Sequence, residues 1–172
     1  MSHKNTDQIL GFTFGEVLAD NGCVIADMYV RTPRGQGELE GKRSGIVIHR
    51  SVLEEILAAK DQMLAAMAEV GANQDILQPA RIEIPEWNQG PTLRSTGGDL
   101  FLCQSFGISE VVAELGAVAA VIEVSQLGDP SGQFHQGDYL IPHHVLLTLI
   151  DTIPQVLAMV DEAGSAEAQV VH

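Results

Sequence analysis

The sequence predicts an α+β protein made of two β-β-β(-β)-α repeats, which form a pseudo-dimer with antiparallel sheets and packed helices. Two observations predict this fold class: the chain aligns with itself, and each copy shows strand patterning followed by a helix. At 172 residues the chain can form one domain or two small lobes around a core. We expect a first repeat at 1–71, a linker with an edge strand or hairpin at 72–104, a second repeat at 105–164 and a disordered tail at 165–172.

The repeat is visible in two consecutive blocks. Gly11–Arg31 aligns with Ser105–Ser125 at an offset of 94, and 8 of the 21 pairs are identical. Ser44–Gly71 then aligns with Gly137–Gly164 at an offset of 93, with 8 of 28 pairs identical. Ordinary composition gives about one match in fifteen pairs, so two ordered blocks indicate a duplication.

The first copy has strand patterning at Phe12–Ala19, at Cys23–Arg31 and in a third segment that ends at Ile48. Asn21-Gly22 predicts a hairpin turn between the first two strands, because both residues tolerate positive φ. Ser51 and Glu54 have the spacing of a capping box, with Ser51 as the N-cap. The helix is expected from about Val52 to Val70 and to stop at Gly71.

The second copy has strand patterning at Phe106–Glu114, Ala117–Ser125 and Tyr139–Ile141, and helix patterning at His143–Ala163. This second helix is apolar on several sides, which predicts burial on more than one face, against a further subunit or another protein. Pro154 is expected to kink or shorten it. In the linker, Arg81–Trp87 reads as a strand that Pro85 confines to an edge or a bulge.

The charge distribution limits where nucleic acid could bind. The net charge is −14, from 23 Asp and Glu against 9 Lys and Arg, so the whole chain repels phosphate and an ordinary basic nucleic-acid-binding protein is excluded. Residues 1–60 carry seven basic and eight acidic side chains, a net of −1, whereas residues 61–172 carry two and fifteen, a net of −13. Any nucleic-acid site is therefore expected in the first repeat.

Cysteine usage and the absence of targeting patterns favour a cytoplasmic protein. Cys23 and Cys103 lie in neither CxxC nor metal-ligand spacing, which favours two reduced thiols. Residues 1–10 have no signal-peptide pattern, and the interrupted apolar stretch at 145–160 is too short to span a bilayer. The adjacent histidines at 143–144 point to different sides and have no ligand at metal spacing around them, so we expect no metal. The short apolar stretch also predicts no membrane association, and without a phosphate loop or dinucleotide fingerprint we expect no cofactor.

A gapless pattern of glycines and strand residues lies within Gly22–Ile48, directly before the amphipathic helix. It consists of Gly22, Val24, Asp27, Gly37, Glu38, Arg43, Gly45 and Ile46. This pattern resembles the core of the positive-cofactor-four family, which are single-stranded-DNA-binding transcriptional coactivators. The resemblance covers about residues 12–70 and, through the repeat, more faintly 105–164; the Whirly and Pur proteins use similar β-then-α repeats.

The resemblance implies a non-catalytic protein that binds single-stranded nucleic acid across the sheet and regulates transcription. Family members use basic and aromatic side chains for this contact. The residues of this chain that would carry it are Tyr29, Arg31, Arg34, Lys42 and Arg43. Because the sequence contains no phosphate loop, dinucleotide fingerprint or nucleophile elbow, we expect no enzyme.

The alternative is an acidic protein-interaction or assembly module that kept the fold but lost nucleic-acid binding. The second repeat favours it, because its matching strands and loop carry Glu110, Glu114, Glu123 and Asp129. The apolar second helix would then contact a homo-oligomer partner or another protein. Glu16 and Glu110 occupy equivalent positions in the two copies, which leaves open either a paired-carboxylate site or a structural role at strand edges.

Overall fold

A computed structural model describes residues 6–33, 39–69, 100–112, 115–126 and 131–170 of the chain. Its elements are β1 (Asp7–Leu18), β2 (Cys23–Pro33), β3 (Leu39–His49), α1 (Arg50–Ala58), α2 (Lys60–Glu69), β4 (Phe101–Val112), β5 (Ala117–Gln126), β6 (Phe134–Pro142) and α3 (His143–Val170). The predicted α+β class is confirmed. The predicted linker strand at Arg81–Trp87 lies outside the described residues.

The six strands form one closed barrel in the order β1-β2-β3-β4-β5-β6. Pairing is antiparallel within β1-β2-β3 and within β4-β5-β6, as expected. Two short parallel junctions join these groups: Ile46–Ile48 of β3 pairs with Phe101–Cys103 of β4, and Asp7 and Gln8 of β1 pair with Tyr139 and Leu140 of β6. The two predicted antiparallel sheets are therefore joined into one barrel by parallel pairing, which the sequence analysis did not predict.

The main core lies between the inward faces of the strands and the helices. Alternate residues of two antiparallel strands point into it: Val24, Ala26, Met28 and Val30 in β2, and Val118, Ala120 and Ile122 in β5. This alternation follows from the two-residue period of a strand. The helices α1 and α3 pack on each other, α1 also packs on β4, and α3 also packs on β1.

The hairpin predicted at Asn21-Gly22 is confirmed: β1 and β2 pair antiparallel, and a 3-10 turn over Ala19–Asn21 between them ends at Gly22 with φ of +62°. The start of α1 differs from the sequence expectation. The N-cap of α1 is His49 rather than Ser51, and its ring accepts a hydrogen bond from the Ser51 N–H at 3.1 Å. The capping box fails because Glu54 instead pairs with Arg50 at 2.9 Å, one turn away on the same helix.

Two helices also differ in extent from the prediction. The first is divided at Ala59 into α1 and α2, although the Met63 N–H still donates to the Ala59 carbonyl at 3.0 Å. The third continues through Pro154 and reaches Val170, well into the segment 165–172 for which the sequence suggested a disordered tail. Residues 166–169 are Ala, Glu, Ala and Gln, which are good helix formers and allow this extension.

Candidate binding surfaces

Part of the predicted nucleic-acid site is buried. Tyr29 and Arg31 lie on β2, and their exposed fractions are 5% and 7%. In the β2–β3 register Tyr29 pairs with Arg43, and Val30 pairs with Lys42, so the hairpin brings four of the five predicted positions close along the backbone. The side chains of Lys42 and Arg43, and all of Arg34, lie outside the described part of the chain.

Arg31 is held by a neutral partner on the neighbouring strand. It is paired in register with Gln8 of β1, and its Nε donates to the Gln8 Oε1 at 3.0 Å, while Nη2 donates to the same oxygen. Burial lowers the pKa of Arg31 from its usual value because desolvation disfavours the charged form. Tyr29, two residues before it on the same strand face, has a buried hydroxyl that makes no hydrogen bond with the described residues.

A cleft of about 370 Å³ lies between the first two helices and β4. The helical wall consists of Glu55, Ile56, Ala59, Gln62, Met63 and Ala66, and the opposite wall consists of residues 106–111 with Val118 behind them. The helical residues recur at intervals of three and four, so they form one face that continues across the break at Ala59. The volume falls within the range of small ligand sites, about 300–1,000 Å³.

The strand wall of this cleft is an edge of β4. Successive residues of a strand point to opposite faces, so a run of six consecutive lining residues, Phe106–Val111, means that the strand faces the cleft edge-on. The pairing of β4 with β3 covers only Phe101–Cys103, and the following residues pair with β5 on the other side. Within the described chain, no strand pairs with the cleft-facing edge of residues 106–111.

The chemistry of the cleft is apolar at its floor and acidic at its rim. Ile56, Met63 and Phe106 are buried members of the main core. The carboxylates of Glu55 and Glu110, with Gln62 and Ser109, are exposed at the opening. The described lining contains no Lys, Arg or His, so the rim has a negative charge.

Sequence reasoning did not find this cleft. The sequence singles out Glu110 as the counterpart of Glu16 and as one of the acidic residues of the second repeat, and both glutamates are exposed, on β4 and β1. The remaining signal was the pair of small residues Gly107 and Ser109 within β4, because small residues in a strand often mark a close approach by another group.

The first half of β6 is exposed. Phe134, His135, Gln136 and Asp138 face solvent, and the exposed fraction of Phe134 is 64%. One large hydrophobic residue on a polar surface is common and is not by itself a binding site.

Most large apolar side chains of α3 are buried against the rest of the chain. The buried apolar side chains of this helix are Val145, Leu146, Leu149, Ile150, Ile153, Val156 and Val160. Length and composition alone would allow His143–Gly164 to cross a bilayer, with a mean hydropathy of 1.3, but a buried core helix has the same pattern. Leu147, at 42%, is the one exposed large hydrophobic residue of the part of α3 whose side chains are described.

The titratable and sulfur groups of the described residues are dispersed. Both cysteines are free and buried, and burial raises the pKa of each thiol, that of Cys103 to about 12. Among the residues that the structure describes, no group of three or more His, Cys, Asp or Glu side chains could hold a metal ion.

Comparison with protein-family models, with curated proteins and with solved structures finds no match to this chain.

Proposed function

We propose that the chain is an internal duplication in which β1-β2-β3-α1-α2 corresponds to β4-β5-β6-α3. The register of β1 with β2 shifts at Ile9/Gly11 and at Phe14/Val17, and the register of β4 with β5 shifts at Cys103/Ser105 and at Ile108/Glu110. Each first-copy shift begins 94 residues before its counterpart, which is the offset of the sequence repeat. Irregularities of this kind are preserved within families, so their recurrence supports a common origin of the two halves.

The function that the geometry supports best is a non-catalytic, acidic protein-interaction module. The observation that carries this proposal is the cleft, which combines an apolar floor, an unpaired strand edge and an acidic rim. Proteins often bind short segments of other proteins by adding them as a strand to an exposed sheet edge or by docking them into an apolar groove. The module keeps the β-then-α unit that resembles the positive-cofactor-four family and uses it to bind protein.

Burial of two predicted nucleic-acid contacts also favours this function over single-strand binding. Stacking on Tyr29 and phosphate contact by Arg31 both require side chains that a strand can reach, and these are at most 7% exposed. Arg31 is moreover committed to Gln8. The net charge of −14 opposes a polyanion and favours a basic partner.

Site-specific photo-crosslinking tests the proposed function. A benzophenone amino acid replaces Ser109, which is exposed in the cleft, and in a matched control it replaces Ser51, which is exposed on α1 and is not part of the cleft lining. Irradiation in cells of the source organism should give a discrete adduct from position 109 that protease removes and nuclease does not. The same adducts from both positions, or a nuclease-sensitive adduct, would contradict the proposal.

Single-stranded nucleic-acid binding is the second candidate, and the β2–β3 register favours it. The pairings Tyr29–Arg43 and Val30–Lys42 place the predicted residues along one end of the hairpin. If a single strand binds there, Lys42→Glu with Arg43→Glu should weaken its affinity at least tenfold in fluorescence anisotropy at low salt, because contacts with phosphate are lost. Each lost contact should also lower the salt dependence of binding. Lys60→Glu on α2 is the matched control and should change the affinity little.

A further inference from the structure

In the proposed duplication, the packed contact between α3 and β1, here called the filled groove, is the counterpart of the cleft. On that side Phe14 of β1 is buried in the main core, with an exposed fraction of 1%. At an offset of 94 its counterpart is the smaller Ile108, which is half-buried. The α3 side is therefore filled by its own side chains along a stretch where the cleft side is open.

Two positions of the helical wall differ in the same direction. At an offset of 93, Ala59 and Ala66 of the cleft correspond to the larger Thr152 and Met159 of α3. The smaller side chains at Ile108, Ala59 and Ala66 leave room in the cleft that the larger side chains fill on the α3 side.

We propose that the cleft binds an extended, basic segment of a partner protein along the edge of β4. This proposal rests on the proposed protein-interaction function and specifies the class of partner. An added strand needs about 4.8 Å beside β4, whereas an α-helix with its side chains needs about 10–12 Å. The cleft, with a volume of about 370 Å³ between the helical wall and β4, therefore suits an added strand better than a helix. The backbone of the segment pairs with residues 106–111 and supplies affinity.

Charge and polarity set the sequence of the segment. Its alternate side chains point toward the floor at Ile56, Met63 and Phe106, so these must be apolar. The other side chains lie at the rim beside Glu55 and Glu110, so Lys or Arg is favoured there and Asp or Glu is repelled. The partner is thus a short stretch of alternating basic and apolar residues.

Fluorescence anisotropy with a labelled octapeptide of alternating lysine and valine tests this with the full chain. We expect saturable binding that an octapeptide of alternating glutamate and valine does not show. N-methylation of every second amide should weaken binding at least tenfold, because it removes backbone donors from one edge of the peptide and leaves the side chains in place. Equal binding of the methylated peptide would overturn strand addition.

Two glutamates at equivalent positions provide a matched pair of variants. Glu110→Lys should weaken the lysine–valine peptide about fivefold or more, since one rim ion pair becomes a repulsion. Glu16→Lys makes the same charge change beside the filled groove and should alter the affinity less than about twofold. Equal losses in the two variants would mean general charge attraction and would overturn the site.

A steric variant built from the chain's own filled groove completes the test. Ile108→Phe with Ala66→Met introduces the residues found at the equivalent positions 14 and 159, and it should abolish peptide binding while circular dichroism and the unfolding midpoint show a folded chain. Retained binding overturns the proposal. So does self-association, seen by sedimentation, that Glu110→Lys abolishes, because the occupant is then a second copy.

The photo-crosslinking result separates this inference from the proposed function. A protein adduct at position 109 together with no peptide binding leaves the interaction module standing and removes the basic extended partner. If neither a protein adduct nor peptide binding is observed, both the interaction module and the basic extended partner are wrong.

Discussion

The backbone N–H of His143 donates to the carbonyl oxygen of Gly116 at 3.0 Å, which ties the first residue of α3 to the turn between β4 and β5. In the other half, the Arg50 N–H donates to the Gly22 carbonyl at 2.9 Å, which ties α1 to the turn between β1 and β2. The first N–H groups of a helix have no partner within the helix. Each turn glycine therefore satisfies one of them and fixes where its helix begins.

Replacement of the turn glycine should destabilise the fold. Gly116 has φ of +60°, and Gly22 has φ of +62°, in the left-handed region where a Cβ is strained. Gly116→Ala should lower the free energy of unfolding by about 1–2 kcal/mol, measured by urea denaturation. Gly164→Ala is the control, because Gly164 lies within α3 and its added Cβ meets no atom within 4 Å; it should raise stability by up to about 1 kcal/mol. A neutral Gly116→Ala would mean that the turn relaxes.

Gln8→Leu should destabilise the protein through its effect on Arg31. The guanidinium is buried, and the oxygen it donates to belongs to Gln8, so the variant leaves a buried cation without this acceptor. We expect a loss of about 2–3 kcal/mol in urea denaturation. Gln8→Leu with Arg31→Met removes both polar groups and should recover most of the loss. If the double variant is no more stable than Gln8→Leu, Arg31 has another role, such as contact with an anion.

Local sequence patterns predicted most strands and helices of the described chain, because the periodic burial of apolar side chains shapes both the pattern and the structure. Alternation in Cys23–Arg31 indicated β2, and the residues on one face of that strand pack in the main core, although its other face is buried as well. The N-cap was misplaced because His49 accepts from the Ser51 N–H, a contact that the serine and glutamate spacing does not encode. Local patterns specify a strand or a helix, but the choice among competing caps depends on tertiary contacts such as the bond from Arg50 to Gly22.

The binding surfaces were harder to predict for a related reason. Tyr29 and Arg31 were assigned to an exposed site by residue type, whereas their burial depends on what covers that face of β2. The cleft depends on the parallel junction between β3 and β4 ending at Cys103, which leaves the following edge beside α1. Strand pairing between distant segments has no local signature, so an open edge cannot be read from periodicity.

His143→Leu should stabilise the protein. The imidazole is 3% exposed, and neither ring nitrogen has a hydrogen-bond partner within the described residues. A buried polar group without a partner costs about 1–3 kcal/mol, whereas an apolar side chain of similar size does not. We expect the free energy of unfolding to rise by about 1 kcal/mol in urea. His135→Leu, on the exposed face of β6, is the control and should change stability by less than about 0.5 kcal/mol. A destabilised His143→Leu would indicate a hydrogen bond to the ring.

Stability should fall above pH 9 because of Cys103. Its thiol is buried in the main core and donates a hydrogen bond to the Ser105 carbonyl. Desolvation raises the pKa of this thiol from 9.0 to about 12. The folded state therefore binds the proton more tightly than the unfolded chain. This stabilisation is fully present below pH 9 and is lost as the pH rises from about 9 toward 12.

The loss should reach about 2 kcal/mol by pH 11 in urea denaturation. Other groups also titrate in this range, including Tyr139, whose pKa is raised by burial and by Asp7. Cys103→Val isolates the thiol, because it keeps an apolar side chain and removes the ionisation. Its stability should fall less steeply between pH 9 and pH 11 than that of the parent chain. Parallel pH profiles for the two proteins would show that the thiol does not contribute, and that the alkaline loss belongs to the remaining groups.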